Sequence, residues 1–89
     1  MTHVVKASGA IQNYSAAKHR RSIQRSLYAV HVNAAVAHEI TDKILHACHS
    51  WRENKAEVTT LDLKTFTIKQ LTHYDKDAAM VYKKHKDIW

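Results

Sequence analysis

The chain contains no proline and a single glycine, Gly9, among its 89 residues. Few positions can therefore turn sharply or break a helix, which favours long helices with short connections over a many-turned β architecture. The length predicts a single domain over residues 1–89. No uncharged stretch is long enough to cross a bilayer. The sole cysteine, Cys48, excludes an intrachain disulfide and predicts a reducing, cytoplasmic location.

The positive charge is concentrated in the N-terminal third of the chain. Residues 1–30 carry five basic side chains and no acid, whereas residues 31–89 carry nine bases and eight acids. The net charge of +6 therefore divides into +5 and +1. This asymmetry indicates an anionic partner, either a phosphorylated small molecule or a nucleic-acid backbone. A basic face that is merely solvated is the competing interpretation.

A short β-hairpin is predicted near the start of the chain. Residues that favour extended backbone, Val4, Val5 and Ile11, lie on either side of Ser8 and Gly9. Gly9 can adopt the positive φ that a tight turn often requires. We therefore expect Gly9 in the turn of the hairpin.

Helical periodicity begins directly after the hairpin. Ser15 is the predicted N-cap of a first helix over about residues 16–29. Its apolar stripe consists of His19, Ile23, Leu27 and Val30. The basic residues Lys18, Arg21 and Arg25 share a neighbouring face.

A second and a third helix follow. Asn33 is the predicted cap of the second helix, which reaches about Trp51 before a polar connection from Arg52 to Lys55. Glu57 to Thr59 is briefly extended, and Thr59 with Asp62 has the spacing of a capping box. The third helix then presents on one face Leu63, Phe66, Thr67, Gln70 and Leu71.

A fourth helix is predicted to begin near Asp75 or Asp77, because carboxylates suit the positive end of a helix dipole. Its predicted buried residues are Ala78, Ala79, Val81, Tyr82, His85 and Trp89. The expected fold class is therefore mainly α: a four-helix bundle capped by a small N-terminal β-hairpin or sheet.

The histidines and the cysteine do not form a catalytic or metal-binding pattern. One helical face carries His38, Asp42, His46 and His49, but a single helix supplies two ligands at most and a structural zinc site needs four. Cys48 falls among inward positions without an activating base. No acid precedes Glu39 to hold a metal beside phosphates at the basic end. We therefore predict a binding protein without enzymatic activity or a metal of its own.

Three segments carry a family resemblance. Residues 4–23 read VVKASGAIQNYSAAKHRRSI, residues 57–60 read EVTT, and residues 77–86 read DAAMVYKKHK. In this order and spacing they resemble the ATP-cone family, whose opening and closing motifs are close to V-x-K-R-D-G-x-x-E-x-F-D-x-x-K-I-x-x-S-I and D-V-A-x-x-Y-x-x-Y-R, with a Val-Thr between them. ATP-cones are small allosteric nucleotide-binding domains of many ribonucleotide reductase large subunits and of the repressor of their operons. The similarity spans nearly the whole chain.

The resemblance implies a nucleotide site between the N-terminal strands and the helices. ATP or dATP is the implied effector, with Lys6 and Lys18 on its phosphates. Val5 matches the family's nucleotide-contacting strand, and Thr59 matches its nucleotide-contacting threonine. The implied function is a non-catalytic regulatory module that acts on a ribonucleotide reductase subunit or through self-association.

The sequence also departs from the family motif. Where the motif has Arg, Asp, Glu, Phe and an aliphatic residue, the chain has Ala7, Ser8, Gln12, Tyr14 and His19. Ala7 removes a multidentate phosphate donor. Arg20 and Arg21 are the candidates to replace it, and Arg21 completes the predicted nucleotide-binding set. The alternative function is a degenerate ATP-cone that has lost the nucleotide and uses its basic face to bind nucleic acid or a protein partner.

Overall fold

Four helices and three short strands make up residues 2–85, the part of the chain that the structure, a computed structural model, describes. The strands are β1 (His3–Val5), β2 (Ile11–Asn13) and β3 (Glu57–Thr59). The helices are α1 (Ala16–Ala29), α2 (Ala34–Arg52), α3 (Thr60–Tyr74) and α4 (Lys76–Lys84). The predicted mainly α class is confirmed. Trp89, predicted to be buried, lies outside the described residues.

Side-chain caps begin the helices at the predicted positions. The Lys18 N–H donates a hydrogen bond of 3.2 Å to Ser15 Oγ, and the Val36 N–H donates one of 2.9 Å to Asn33 Oδ1. Of the two predicted starts of the fourth helix, Asp75 is the N-cap. Each cap satisfies a backbone donor that has no partner within its own helix.

The strands form one sheet in the order β2-β1-β3. The predicted hairpin is confirmed: β1 and β2 are antiparallel, with Val4 opposite Gln12. The Gly9 N–H donates to the Lys6 carbonyl at 2.8 Å, and Gly9 has a φ of 89°. The predicted extension after α2 is the third strand, which pairs parallel to β1 with Val58 opposite Val4.

The sheet covers one end of the helical bundle. Strand β2 leads into α1 and β3 leads into α3, so both helices begin there. Helix α2 ends there, since Thr2 Oγ1 donates to the Lys55 carbonyl at 3.3 Å. Helix α4 also ends there, since Lys64 Nζ donates to the His85 carbonyl at 2.9 Å. We call this the sheet end; its apolar cluster contains Val4, Cys48, Val58 and Leu63.

The larger core cluster lies between the four helices. Its buried members are Ile23, Leu27, Ala37, Ile44, Leu71, Ala78, Ala79 and Tyr82. Most of them occupy the apolar stripes predicted from helical spacing, so burial of these stripes holds the bundle together. Within residues 2–85, no helix combines the length and the apolarity that crossing a membrane requires.

Three details at the helix ends differ from the predictions. Arg52, assigned to the polar connection, is the last residue of α2. His85, predicted to be buried in the fourth helix, is the half-buried residue after α4, because its backbone is extended and its carbonyl accepts from Lys64. Val81 is likewise only half-buried.

The turn from α1 to α2 contains His31 in a left-handed conformation, with a φ of 65°. Two hydrogen bonds close the end of α1: the His31 N–H donates to the Tyr28 carbonyl at 3.0 Å, and the Val32 N–H donates to the Leu27 carbonyl at 3.1 Å. This is the Schellman arrangement, in which the left-handed position usually belongs to glycine. A histidine side chain there strains the backbone.

We expect His31→Gly to stabilise the fold. Removing the Cβ relieves the left-handed strain, which is worth about 1 kcal/mol, and thermal unfolding should shift upward by a few degrees. The matched control is His31→Ala, which retains a Cβ and should give no gain. A lower melting temperature for His31→Gly than for His31→Ala would contradict the expectation.

Candidate functional site

Val5 and Thr59 lie side by side in the sheet. The parallel pairing of β1 with β3 places Val5 opposite Thr59. Paired residues point to the same face of a sheet, so these two lie opposite the buried Val4 and Val58. Lys6 follows Val5 directly, opens the hairpin turn and is half-buried. Three of the five predicted binding residues therefore share one end of the sheet.

Thr59 has the structural role that its spacing with Asp62 predicts. Thr59 Oγ1 accepts a hydrogen bond of 3.0 Å from the Asp62 N–H, and the Thr59 N–H donates one of 3.1 Å to Asp62 Oδ2. The capping box of α3 is therefore complete. A hydroxyl oxygen that accepts this bond keeps its own hydrogen, so exposed Thr59 can donate to a ligand as well.

The other two predicted residues, Lys18 and Arg21, are exposed one turn apart on α1. Lys18 lies in the first turn, where the helix dipole is positive and no acidic residue is present. Burial raises the pKa of Tyr82 on α4, and the nearby charge of Arg25 partly offsets that rise. Arg25 therefore continues the basic stripe toward α4. Within residues 2–85, no salt bridge joins these three cations to a carboxylate.

Arg20 has a different partner. Its Nη2 donates to Asp42 Oδ1 at 2.6 Å, which ties α1 to α2, and this bond holds the pKa of Asp42 below its usual range. His38 Nε2 lies 3.2 Å from the second oxygen of Asp42. Of the two candidates to replace the arginine missing at Ala7, Arg21 is therefore the one outside an ion pair in the described chain.

The histidine-rich face of α2 is exposed to solvent. Its members are His38, Asp42, His46 and His49. Across residues 2–85, no group of three or more His, Cys, Asp or Glu side chains is arranged to hold a metal ion. The bonds that this face does make are the contacts of Asp42 with Arg20 and His38.

A chain of polar side chains, half-buried at Tyr14 and buried at His19 and Thr67, crosses the bundle at the sheet end. Tyr14 Oη lies 2.6 Å from His19 Nδ1, and His19 Nε2 lies 2.8 Å from Thr67 Oγ1. Thr67 Oγ1 also lies 2.7 Å from the Leu63 carbonyl. Sequence analysis placed His19 and Thr67 on inward faces but missed their contact. The sequence contains a signal for this contact, because His19 and Thr67 are each a polar residue on an otherwise apolar helix face.

The direction of this chain follows from its last member. The Leu63 carbonyl can only accept, so Thr67 donates its hydrogen there and accepts from His19 Nε2–H. His19 Nδ1 then accepts from the Tyr14 hydroxyl. The imidazole is neutral, and each of its nitrogens has a hydrogen-bond partner.

Burial and a neighbouring cation keep His19 neutral. Burial, with the charge of Arg52, lowers the pKa of His19 to about 3. The Arg52 guanidinium lies 3.6 Å above the centre of the Tyr14 ring, a cation–π contact. Burial also raises the pKa values of Tyr14 and of Cys48, whose thiol donates weakly to Tyr14 Oη at 3.9 Å. Cys48 is therefore a protonated, buried thiol, as its inward position predicts.

A separate groove of about 450 Å³ runs along the outer face of α3. Its lining includes Trp51 and Phe66, whose rings stack with centroids 4.7 Å apart. Leu61 and Lys69 also line it, and Leu61 is 70% exposed. Its lining residues include none of the five predicted nucleotide-binding residues.

The neutral state of His19 makes stability depend on pH. Because the folded pKa of about 3 lies below the ordinary value of 6.5, the unfolded chain binds a proton first as the pH falls. The free energy of unfolding should have its full value above about pH 6.5. On acidification toward the folded pKa it should decrease by ~1.4 kcal/mol per pH unit. Urea unfolding at pH 7, 6 and 5 measures this slope.

The control for this prediction is His19→Leu, which removes the titrating group. The variant should lose less stability than the parent protein between pH 6.5 and pH 5, a range above most carboxyl titration. Equal slopes in the two proteins would show that His19 is not the group responsible.

Comparison with known proteins bears on the whole chain. The family model described as the ATP cone domain matches residues 2–88. A search among curated proteins gives no match. ATP-cone domains are regulatory, non-catalytic domains that bind ATP or dATP as effectors. The extent of this match, on a chain that folds as a sheet-capped four-helix bundle, shows that the protein belongs to the ATP-cone family of allosteric nucleotide-binding modules.

Proposed function

We propose that this protein binds ATP or dATP at the sheet end, where the hairpin meets α1. Lys6 and Lys18 contact the phosphates, Val5 lies against the nucleotide, and Thr59 donates its hydroxyl to it. The observation that supports this most is the parallel register of β1 and β3, which makes Val5 and Thr59 neighbours beside Lys6. These residues are up to 54 positions apart in the sequence, and the strand pairing brings them together.

The electrostatics of this end favour an anion. Helices α1 and α3 both begin there, and a helix N-terminus carries a partial positive charge. On α1 that charge is reinforced by Lys18 and is not offset by an acidic residue in the first turn. Phosphate oxygens would relieve the repulsion among these positive groups.

Arg21 is the proposed substitute for the guanidinium lost at Ala7. It is exposed one turn after Lys18, and Arg20, the other candidate, is paired with Asp42 at 2.6 Å. A guanidinium can bond to phosphate oxygens through two nitrogens at once, so Arg21 can restore part of the lost contact.

The module is proposed to act without catalysis. Phosphoryl transfer needs carboxylates that hold a metal beside the phosphates. At the start of α3, near the proposed site, the Asp62 carboxylate already accepts the Thr59 N–H in the capping box. Nucleotide binding therefore controls another activity, which we propose to be that of a ribonucleotide reductase subunit, or the association of the chain with itself, in the cytoplasm.

Control of self-association by the nucleotide can be measured as a change in the molecular mass of the protein in solution. Size-exclusion chromatography with light scattering, run with ATP, with dATP and without nucleotide, reports self-association of the chain. A mass that is the same in all conditions would exclude self-association as the output and leave a separate protein partner.

Nucleic-acid binding is the second candidate function. The observation that favours it is the basic stripe of α1, where Lys18, Arg21 and Arg25 have no carboxylate partner among residues 2–85. Such a stripe can follow a phosphate backbone, and the affinity would then fall steeply with salt. Tight binding to duplex DNA at physiological salt, without measurable ATP binding, would favour this function over the first.

Nucleotide affinity should depend on both proposed phosphate lysines. Lys6→Ala and Lys18→Ala should each weaken ATP and dATP binding about tenfold to a hundredfold, because a hydrogen bond to a charged group is worth roughly 1.5–3 kcal/mol. The effect of Thr59→Val should be smaller. Isothermal titration calorimetry with ATP and with dATP measures these affinities.

Two control variants separate contact from folding. Lys76→Ala removes a lysine at the first residue of α4, at the opposite end of the bundle from the sheet, and should leave the affinity unchanged. Thr59→Ser keeps both the helix cap and the hydroxyl, so it should bind better than Thr59→Val. If ATP and dATP both fail to bind at millimolar concentration, or bind the lysine variants and the parent equally, the degenerate ATP-cone is the correct interpretation.

A further inference from the structure

Two departures from the family motif are bonded to each other. Tyr14 stands where the motif has Phe, and His19 stands where it has an aliphatic residue. In the structure the Tyr14 hydroxyl donates to His19 Nδ1 at 2.6 Å, and the two rings meet edge to face with centroids 5.7 Å apart. The phenol and the imidazole therefore provide a hydrogen-bond partner for each other, and each departure from the motif compensates for the other.

The pair joins the hairpin to the bundle. Tyr14 is the first residue after β2, and its N–H donates to the Thr2 carbonyl at 3.1 Å, so its backbone closes the open end of the hairpin. Its side chain reaches His19 on α1, and His19 in turn donates to Thr67 on α3. A displacement of the hairpin from the helices would therefore break the bond between Tyr14 and His19.

The pair also adjoins the residues proposed to hold phosphate. Lys18 directly precedes His19 on α1, and its N–H is capped by Ser15, which directly follows Tyr14. At the other end of the hairpin, Lys6 opens the turn. The distance between the two lysine side chains therefore depends on how firmly the hairpin is held against α1.

We propose that Tyr14 and His19 are positioning residues: their hydrogen bond holds the hairpin on α1 and thereby sets the geometry of Lys6 and Lys18. The effect on nucleotide affinity rests on the proposed function, whereas the effect on the hairpin does not. Tyr14→Phe removes the donor to the imidazole, and His19→Leu removes the acceptor of the phenol. Replacing both restores an apolar pair of similar shape, and removing both partners of a buried hydrogen bond is often close to neutral.

Amide hydrogen exchange of the protein without nucleotide tests the first part. The amides of Lys6 and Tyr14 report hairpin opening through their bonds to the Ala10 and Thr2 carbonyls, and the amide of Val32 reports on the far end of the bundle. Each single variant should lose about tenfold protection in the hairpin relative to Val32. The double variant Tyr14→Phe/His19→Leu should recover to within about threefold of the parent.

Calorimetric titration with ATP tests the second part. Each single variant should bind ATP about tenfold more weakly than the parent, and the double variant should recover most of the loss. If the double variant does not fold, His19→Gln replaces it: its amide can both accept from Tyr14 and donate to Thr67, so it should lose less than His19→Leu.

The outcomes separate the two claims. The proposed positioning role would be overturned if the losses of amide protection in the two single variants multiply in the double variant. It would also be overturned if the Val32 amide loses as much protection as the hairpin amides. If the double variant recovers amide protection but not ATP affinity, the pair holds the hairpin only, and its proposed effect on the site is wrong. If the parent protein binds no ATP, the proposed function fails, and the exchange data alone decide whether the pair holds the hairpin.

Discussion

A neutral imidazole buried between α1 and α3 is the constraint on which the sheet end depends. His19 is fully buried, and burial of a polar ring is costly unless its nitrogens are bonded. The Tyr14 hydroxyl and Thr67 Oγ1 are partners for the two nitrogens at 2.6 and 2.8 Å. An apolar side chain would tolerate several positions of α1 against α3, whereas these two directional bonds favour one.

The sheet itself depends on the bundle. Its strands have three residues each, too few to be stable as an isolated sheet. Val4 and Val58 pair across the parallel strands and pack on Cys48 and Leu63 of the helices. Burial of these side chains, together with the bond from Thr2 to the Lys55 carbonyl just after α2, therefore holds the strands in register.

Local sequence signals predicted most of the elements, because the interactions that start a helix lie within four residues of one another. Ser15, Asn33 and Thr59 each bond to a backbone donor three residues ahead, and their spacing is visible in the sequence. Helical periodicity likewise placed His19 on an inward face. The predicted bounds of α1 and α2 left a connection at residues 30–32, but the left-handed conformation of His31 was not predicted because no glycine marks it.

Contacts between distant elements could not be predicted in the same way. Periodicity shows which face of a helix is inward, but not which residue of another helix it meets. The bond from His19 to Thr67 spans 48 positions, and the ion pair of Arg20 with Asp42 spans 22. Both join polar residues whose partners depend on the packing of whole helices. In the proposed site, the family resemblance grouped Val5 with Thr59, but the parallel pairing of β1 with β3 that makes them neighbours was not predicted.

The cations of α1 differ in whether a carboxylate pairs with them, and this difference bears on where an anion would bind. Asp42 of α2 pairs with Arg20, on the side of α1 that faces α2. On the side toward α4, Lys18, Arg21 and Arg25 have no such carboxylate in the described chain. Cations without partners repel one another, and the repulsion is greatest beside the positive end of the helix. An anion bound there relieves that repulsion, whereas an anion bound on the α2 side would have to compete with Asp42.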